Sequence, residues 1–358
     1  MNVTLNLEQM NKRIFELDIL RGLTIALMII VDAPPDVMYK TLQHADWAGI
    51  NLADLIFPAF VFAMGMATAI STARRQPSIK KFLRRAGLLF LVGFLLNVLI
   101  YFCFEWANLR FFGVFQRLAL TYFFGMIIFL KLKNAAQISA AAFLLLIISS
   151  AGFHVYAPEN PFDEMQNISG AVDRIFPGVN HIYEETHDPE GLYGILASVA
   201  TMLFGILAGK FLLKNKIRKL ISYGAGILIL GYCWSFFDII SKKIWTAPFA
   251  LLNAGGDMIF FAALVILFKK LPRLKKIFRP FESLGKNPFF FFVAANVSTI
   301  ILCSTMILGT PLWLLLYRMT FQGLISAEFG ALMFCVMWCL IWIIPAEIFN
   351  RRGIILKV

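Results

Sequence analysis

Apolar runs of roughly 20 residues succeed one another along almost the whole chain, and nothing else constrains its fold as tightly. Inside hydrocarbon every backbone N–H and C=O must be satisfied within its own segment, so such runs are helices. Their edges read as roughly 17–34, 51–72, 84–104, 111–130, 135–153, 191–212, 217–237, 248–268, 287–308 and 327–349. The 358 residues are 59% hydrophobic and 15% charged. A soluble domain would carry about 25% charged residues. The expectation is an all-α polytopic membrane protein with about ten transmembrane helices, one domain over 1–358. The polar start MNVTLNLEQMNKR enters the first run without the pattern of a cleavable signal.

A net charge of +12 would point to nucleic acid in a soluble protein. Here the basic residues sort by side instead. Lys12, Arg13, Arg21, the loops 74–85, 131–133, 210–219 and 269–280, Lys286 and the tail RRGIILKV hold 26 of the 33 Lys and Arg residues. Lys40, Arg110, Arg117, Arg174, Lys242, Lys243 and Arg318 are the seven on the opposite side. The positive-inside rule then makes both termini cytoplasmic, and no nucleic-acid partner is needed. That parity favours an outer-side interfacial or re-entrant helix over a span for the short segment 311–325. The five cysteines lie in or beside apolar runs, without metal-ligand spacing to a histidine, and no metal is expected.

Two outer-side loops stand out. Loop 35–50 holds His44, between Asp32 and the pair Asp46–Trp47, with Asp54 heading the next helix. Loop 154–190 carries His154, His181 and His187 among prolines, asparagines and acids. Loops of that length are usually functional or disordered. A lone loop histidine is ordinarily structural, but His44 is bracketed by acids and tethered to a span on each side. A neutral imidazole there takes a proton from an amine or hydroxyl, or attacks an acyl thioester. Asp32 opens the DAPPD break, where Pro34 and Pro35 stop the helix. It either closes that helix or orients His44. Asn51 and Asp54 read as a helix start, with Asp54 complementing the dipole.

Other polar groups in the spans have a structural and a functional reading. Asp18 and Arg21, three apart, form a helix-end ion pair or hold a ligand phosphate. Arg117 in GVFQRLALTY needs Asp32, Asp46 or Asp54, or else a water-filled cavity. Asn287 and Asn296 in GKNPFFFFVAAN bond neighbouring helices or face the bundle interior. No GxxxxGK[ST], HExxH or GxSxG is present, so P-loop, zincin and hydrolase-elbow chemistry have no support.

In order along the chain, LDILRGLTIALMIIVD, QHADWAGINLADLIFPAFVFAMG, GVFQRLALTY, DRIFPGVNHIY…HDPEGLYGILASVATMLFGILAGK and GKNPFFFFV resemble the heparan-alpha-glucosaminide N-acetyltransferase family and its bacterial relatives. The resemblance implies transfer of an acetyl group from cytosolic acetyl-CoA to an amino sugar or glycan on the periplasmic side of a bacterial inner membrane. It implies that the catalytic histidine of the family's H-A-x-W-x-G block is His44, with Asp32 beside it where the family usually has asparagine. The acyl and acceptor site would draw on Asp46, Trp47, Asp54, Arg117, His181 and Asn287. Asp18, Arg21 and Asn296 would serve acetyl-CoA as co-substrate, and loop 154–190 would be the acceptor's lid. Lipid-facing aromatic stripes offer a homodimer surface. Two rivals remain open. A transporter or flippase of a small polar or lipid-linked solute suits intramembrane charges and broken helices. An inactive scaffold is the other.

Overall fold

The computed structural model describes residues 13–74, 78–104, 108–132 and 134–356. The polar start, with Lys12, and Arg75, Lys133 and Lys357 of the basic segments lie outside the described residues. Each apolar run is a helix: α1 (Phe15–Val31), α2 (Leu52–Arg74), α3 (Ile79–Cys103), α4 (Val114–Lys131), α5 (Ala135–Tyr156), α6 (Ile195–Leu213), α7 (Ile217–Trp234), α8 (Ala247–Lys270), α9 (Pro288–Ser304) and α10 (Ala327–Arg351). Among the described residues seven helices are long and apolar enough to cross a membrane, and eight if α9 is joined to the helix Arg279–Lys286 before it.

The run read at 287–308 is the one helix α9, and the helix Arg279–Lys286 joins it through a break at its start. The two helices meet at 89°. Pro288 lacks the N–H that would carry the preceding helix onward, so the chain bends at Asn287. The Asn287 amide then holds the C-terminal segment: Nδ2 donates to the Ile354 carbonyl at 2.9 Å, and Oδ1 accepts from the Leu356 N–H at 2.8 Å. The 311–325 segment forms a helix of nine residues, Leu312–Thr320. At about 14 Å it is too short to cross hydrocarbon about 30 Å thick. Its Trp313 packs edge-on against Phe334 and donates to the Ala33 carbonyl at 3.2 Å, beside the DAPPD break.

Burial sets the order of the bundle. Helix α6 is buried along most of its length and α3 along little of it, so α6 is central and α3 peripheral. Small residues let α2 and α6 touch backbone to backbone. A Cβ at Gly65 would collide with the Met202 carbonyl, and one at Gly205 with the Phe62 carbonyl. Two run edges shift with consequences for the site. Helix α5 continues to Tyr156, so His154 stands on its last turn, and α6 begins at Ile195, leaving Gly191 to Gly194 in the loop.

Candidate active site

The loop between α1 and α2 is built on Asp54. Asn51 precedes the first residue of α2 and Asp54 lies three further on, the spacing of a capping box. Asp54 Oδ2 accepts from the Asn51 N–H at 2.9 Å and from the Ala45 N–H at 3.1 Å. Its Oδ1 lies 2.8 Å from His44 Nδ1. A carboxylate only accepts, so the ring proton sits on Nδ1 and the Nε2 lone pair points away from Asp54. Asp54 is fully buried while the His44 side chain is 46% exposed, so a buried anion orients an accessible base. Asn51 Nδ2 bridges the Lys40 and Gln43 carbonyls and holds the loop's return.

His44 opens into a cavity of about 400 Å³ where α1, α2, the 154–190 loop and the loop after α7 meet. Asp32, Asp46, Asp54, Glu184 and Glu190 bring carboxylates to it, and Arg110, Lys242 and Lys243 bring cations. The Lys242 ammonium lies 3.0 Å from His44 Nε2 and 3.1 Å from Nδ1. Burial pushes this lysine below its usual range, against the pull of Glu190, Asp54 and Asp32. Arg110 grips Asp188 through Nε at 2.9 Å and Nη2 at 2.5 Å, and Nη2 also bonds Glu190. Burial would lower the Arg110 pKa, but those two carboxylates hold it above its ordinary value. The fork pins the end of the 154–190 loop over the cavity.

A second cavity, about 540 Å³, lies at the other ends of α1 and α2. Arg13, Arg21, Arg74, Arg85 and Lys286 line it together with Asp18. Asp18 pairs with Arg21 at 3.6 Å and Arg13 at 3.8 Å. Arg21 and Asp32 are eleven residues apart, so the two cavities are separated by roughly 16 Å of helix rise.

The structure redistributes the expected roles. His44, Asp32, Asp46 and Asp54 share one cavity, but Asp54 rather than Asp32 bonds the imidazole. Trp47 does not line the cavity. Its Nε1 donates to the Phe162 carbonyl at 2.9 Å and its ring meets His187 edge-on, bracing the loop from behind. Arg117 is buried and finds none of the three acids expected for it. It donates to the Gly191 carbonyl at 3.0 Å and stacks over Trp245. His181 Nδ1 is spent on the Leu109 carbonyl at 2.7 Å. Asn287 lines the basic cavity rather than the acyl site, because the bend at Pro288 carries it to that end. Asn296 lines neither cavity and donates to the Phe292 carbonyl one turn back. Asp18 and Arg21 stand in the basic cavity. Sequence reading missed Lys242, Lys243, Arg110 and Glu190. The signal was present: three of them are among the few basic residues on the base-poor side.

Residues 13–234 match the family described as heparan-alpha-glucosaminide N-acetyltransferase, catalytic. The human heparan-alpha-glucosaminide N-acetyltransferase is 28% identical over 332 residues, covering 74% of this chain and 50% of that protein. The mouse protein of the same name is 26% identical over 274 residues, covering 60% of this chain and 42% of its own length. The chain thus spans about half the length or less of these curated relatives. The matched segment contains α1, α2 and the His44–Asp54 pair, and stops short of Lys242. A largely helical membrane protein whose match takes in 13–234, this chain belongs to the heparan-alpha-glucosaminide N-acetyltransferase catalytic family.

Proposed function

We propose that this protein moves an acetyl group from acetyl-CoA, bound at the basic cavity, to the amine of an amino sugar or glycan held at the His44 cavity. Ten helices would cross the membrane with both termini in the cytoplasm, and the acceptor would stand on the periplasmic side of a bacterial inner membrane. The observation that carries this reading is the pair of cavities at opposite ends of α1 and α2, one ringed by arginines and one holding an Asp–His pair. Arginine clusters suit the phosphates of a nucleotide. An extended pantetheine arm spans a distance of the order of the helix rise between them.

In this reading His44 Nε2 takes a proton from the acceptor amine as its nitrogen attacks the thioester carbonyl. The C–N bond forms, the C–S bond breaks, and the thiol departs with a proton. Asp54 holds the ring in the tautomer that leaves Nε2 free and supports the imidazolium once formed. Lys242 Nζ takes up the position at Nε2 that an acceptor amine needs, so the acceptor displaces it. Asp32, Asp46 and Glu190 give the same cavity the anionic character that attracts an ammonium.

The test is acetyl-CoA turnover by purified protein in detergent, with and without glucosamine, for wild type and His44→Ala. Glucosamine-dependent CoA release that the substitution abolishes is the expected result. Turnover untouched by His44→Ala removes the histidine from the chemistry. A protein that binds no CoA ends the acyltransferase reading and leaves the transporter.

A further inference from the structure

The lid loop contains a cluster to which the proposed transfer step gives no role, and its Glu184 also lines the His44 cavity. Glu164, Glu184 and His187 bring two carboxylate oxygens and one ring nitrogen within 4.8 Å of one another. The His187 side chain is wholly buried. Its Nδ1 lies 2.8 Å from the Thr186 hydroxyl, and the Trp47 ring fixes its plane. Its Nε2 makes no hydrogen bond. That nitrogen faces Glu184 Oε2 at 3.6 Å, beyond hydrogen-bond reach. A buried ring nitrogen without a partner is costly, and it is aimed at two carboxylates.

We propose that Glu164, Glu184 and His187 form a binding site for a divalent transition-metal ion of the zinc class. Tetrahedral zinc holds nitrogen and oxygen ligands at about 2.0–2.2 Å, which puts neighbouring ligand atoms about 3.4 Å apart. The His187–Glu184 separation of 3.6 Å already approaches that value. Imidazole nitrogen selects zinc-like ions over magnesium and calcium, which take six or more oxygens. The Thr186 hydroxyl can accept from Nδ1–H, which would leave Nε2 as the ligand, the usual support for a metal-bound histidine. Three protein ligands leave a fourth position for water. Glu164 is exposed and gives the ion its way in.

One cation already competes. Lys243 Nζ lies 2.9 Å from Glu184 Oε1. The ammonium and the metal would therefore share one carboxylate. The ion would tie residue 164 to residues 184–187 and stiffen the loop beside the cavity, whether or not His44 transfers an acyl group.

The experiment is calorimetric titration of zinc chloride into the metal-stripped full chain in detergent, with magnesium chloride as a parallel titrant. The expected result is one zinc per chain and no comparable magnesium binding. Glu164→Gln, at an exposed position that leaves the fold intact, weakens zinc at least about tenfold. Lys243→Met tightens it, since a competing charge is gone, and His154→Ala changes nothing. Zinc also slows proteolysis of the 160–190 segment in wild type but not in Glu164→Gln. Absence of zinc binding at about 100 μM, a concentration where a site with a Kd of about 10 μM would be about nine-tenths full, overturns the proposal. Binding that Glu164→Gln leaves unchanged also overturns it.

Discussion

Two histidines at one end of the bundle make almost the same local contact, and one of them, His44, lines the cavity with Asp32 and Glu190. His44 is 46% exposed and bonded at 2.8 Å to the fully buried Asp54. His154 is 45% exposed and bonded at 2.8 Å to Asp238, which is 1% exposed. Distance and burial do not separate the pairs. Orientation and surroundings do. His44 gives Nδ1 to its acid and turns Nε2 to the cavity, whereas His154 gives Nε2 to Asp238. Asp238 also takes bonds from Ser150 at 2.6 Å and Trp234 at 3.1 Å, so it staples α5 to the end of α7. Asp54 bonds only its own loop, and other segments bring Glu190, Arg110 and Lys242 around the imidazole. An Asp–His pair becomes a site when distant parts of the chain leave room beside it.

The contrast predicts a graded set of effects. His44→Ala lowers acceptor-dependent CoA release by about 10³-fold, within the range of a lost general base, with a stability cost no larger than the about 1 kcal/mol of one lost hydrogen bond. A residual rate within tenfold of wild type would erase the distinction between the two histidines. Asp54→Asn comes next, at about 10²-fold, because the ring loses its tautomer-setting acceptor. Its signature is a fall in kcat with little change in KM for acetyl-CoA, measured by steady-state kinetics. A loss confined to KM would make Asp54 a loop-shaping residue only.

A third effect reads the charges around the cavity. Burial pushes Glu190 up, but Arg110, Arg117 and Lys242 outweigh it and hold its pKa below the ordinary 4.5. The unfolded chain then binds more protons in that window. The stabilisation is complete above the unfolded value and lost as pH falls through the folded one. Between about pH 6 and about pH 3.5 the thermal midpoint of wild type should drop further than that of Glu190→Gln. Parallel drops would show that Glu190 gains nothing from its cations. Smallest of all, His154→Ala changes CoA release by less than about twofold while costing about 1 kcal/mol of stability through the lost hydrogen bond. A tenfold loss of turnover there would put the second pair into the chemistry and overturn the comparison.

How much of this was legible beforehand follows from the range of each interaction. The apolar runs specify helices within one segment, so α1 to α10 were readable to within a few residues, whereas the helix Arg279–Lys286 bent onto the start of α9 was not. The Asn51–Asp54 start was readable too, because a capping box is closed within four residues. His44 was legible from its loop and from the family resemblance, but its partner was not. Asp32 and Asp54 are both near in sequence, and which one reaches Nδ1 depends on how the loop folds back over α2. Glu190 and Lys242 lie about 146 and 198 positions from His44, and only the packing of α6 and α8 against α2 brings them there. The sequence by itself determined a helical membrane protein, a sidedness of charge and a histidine between acids, since these rest on local periodicity and transfer energy. The tertiary structure alone decided which acid holds that histidine, which cations face it and where Asn287 goes, because those depend on contacts between segments that no local pattern encodes.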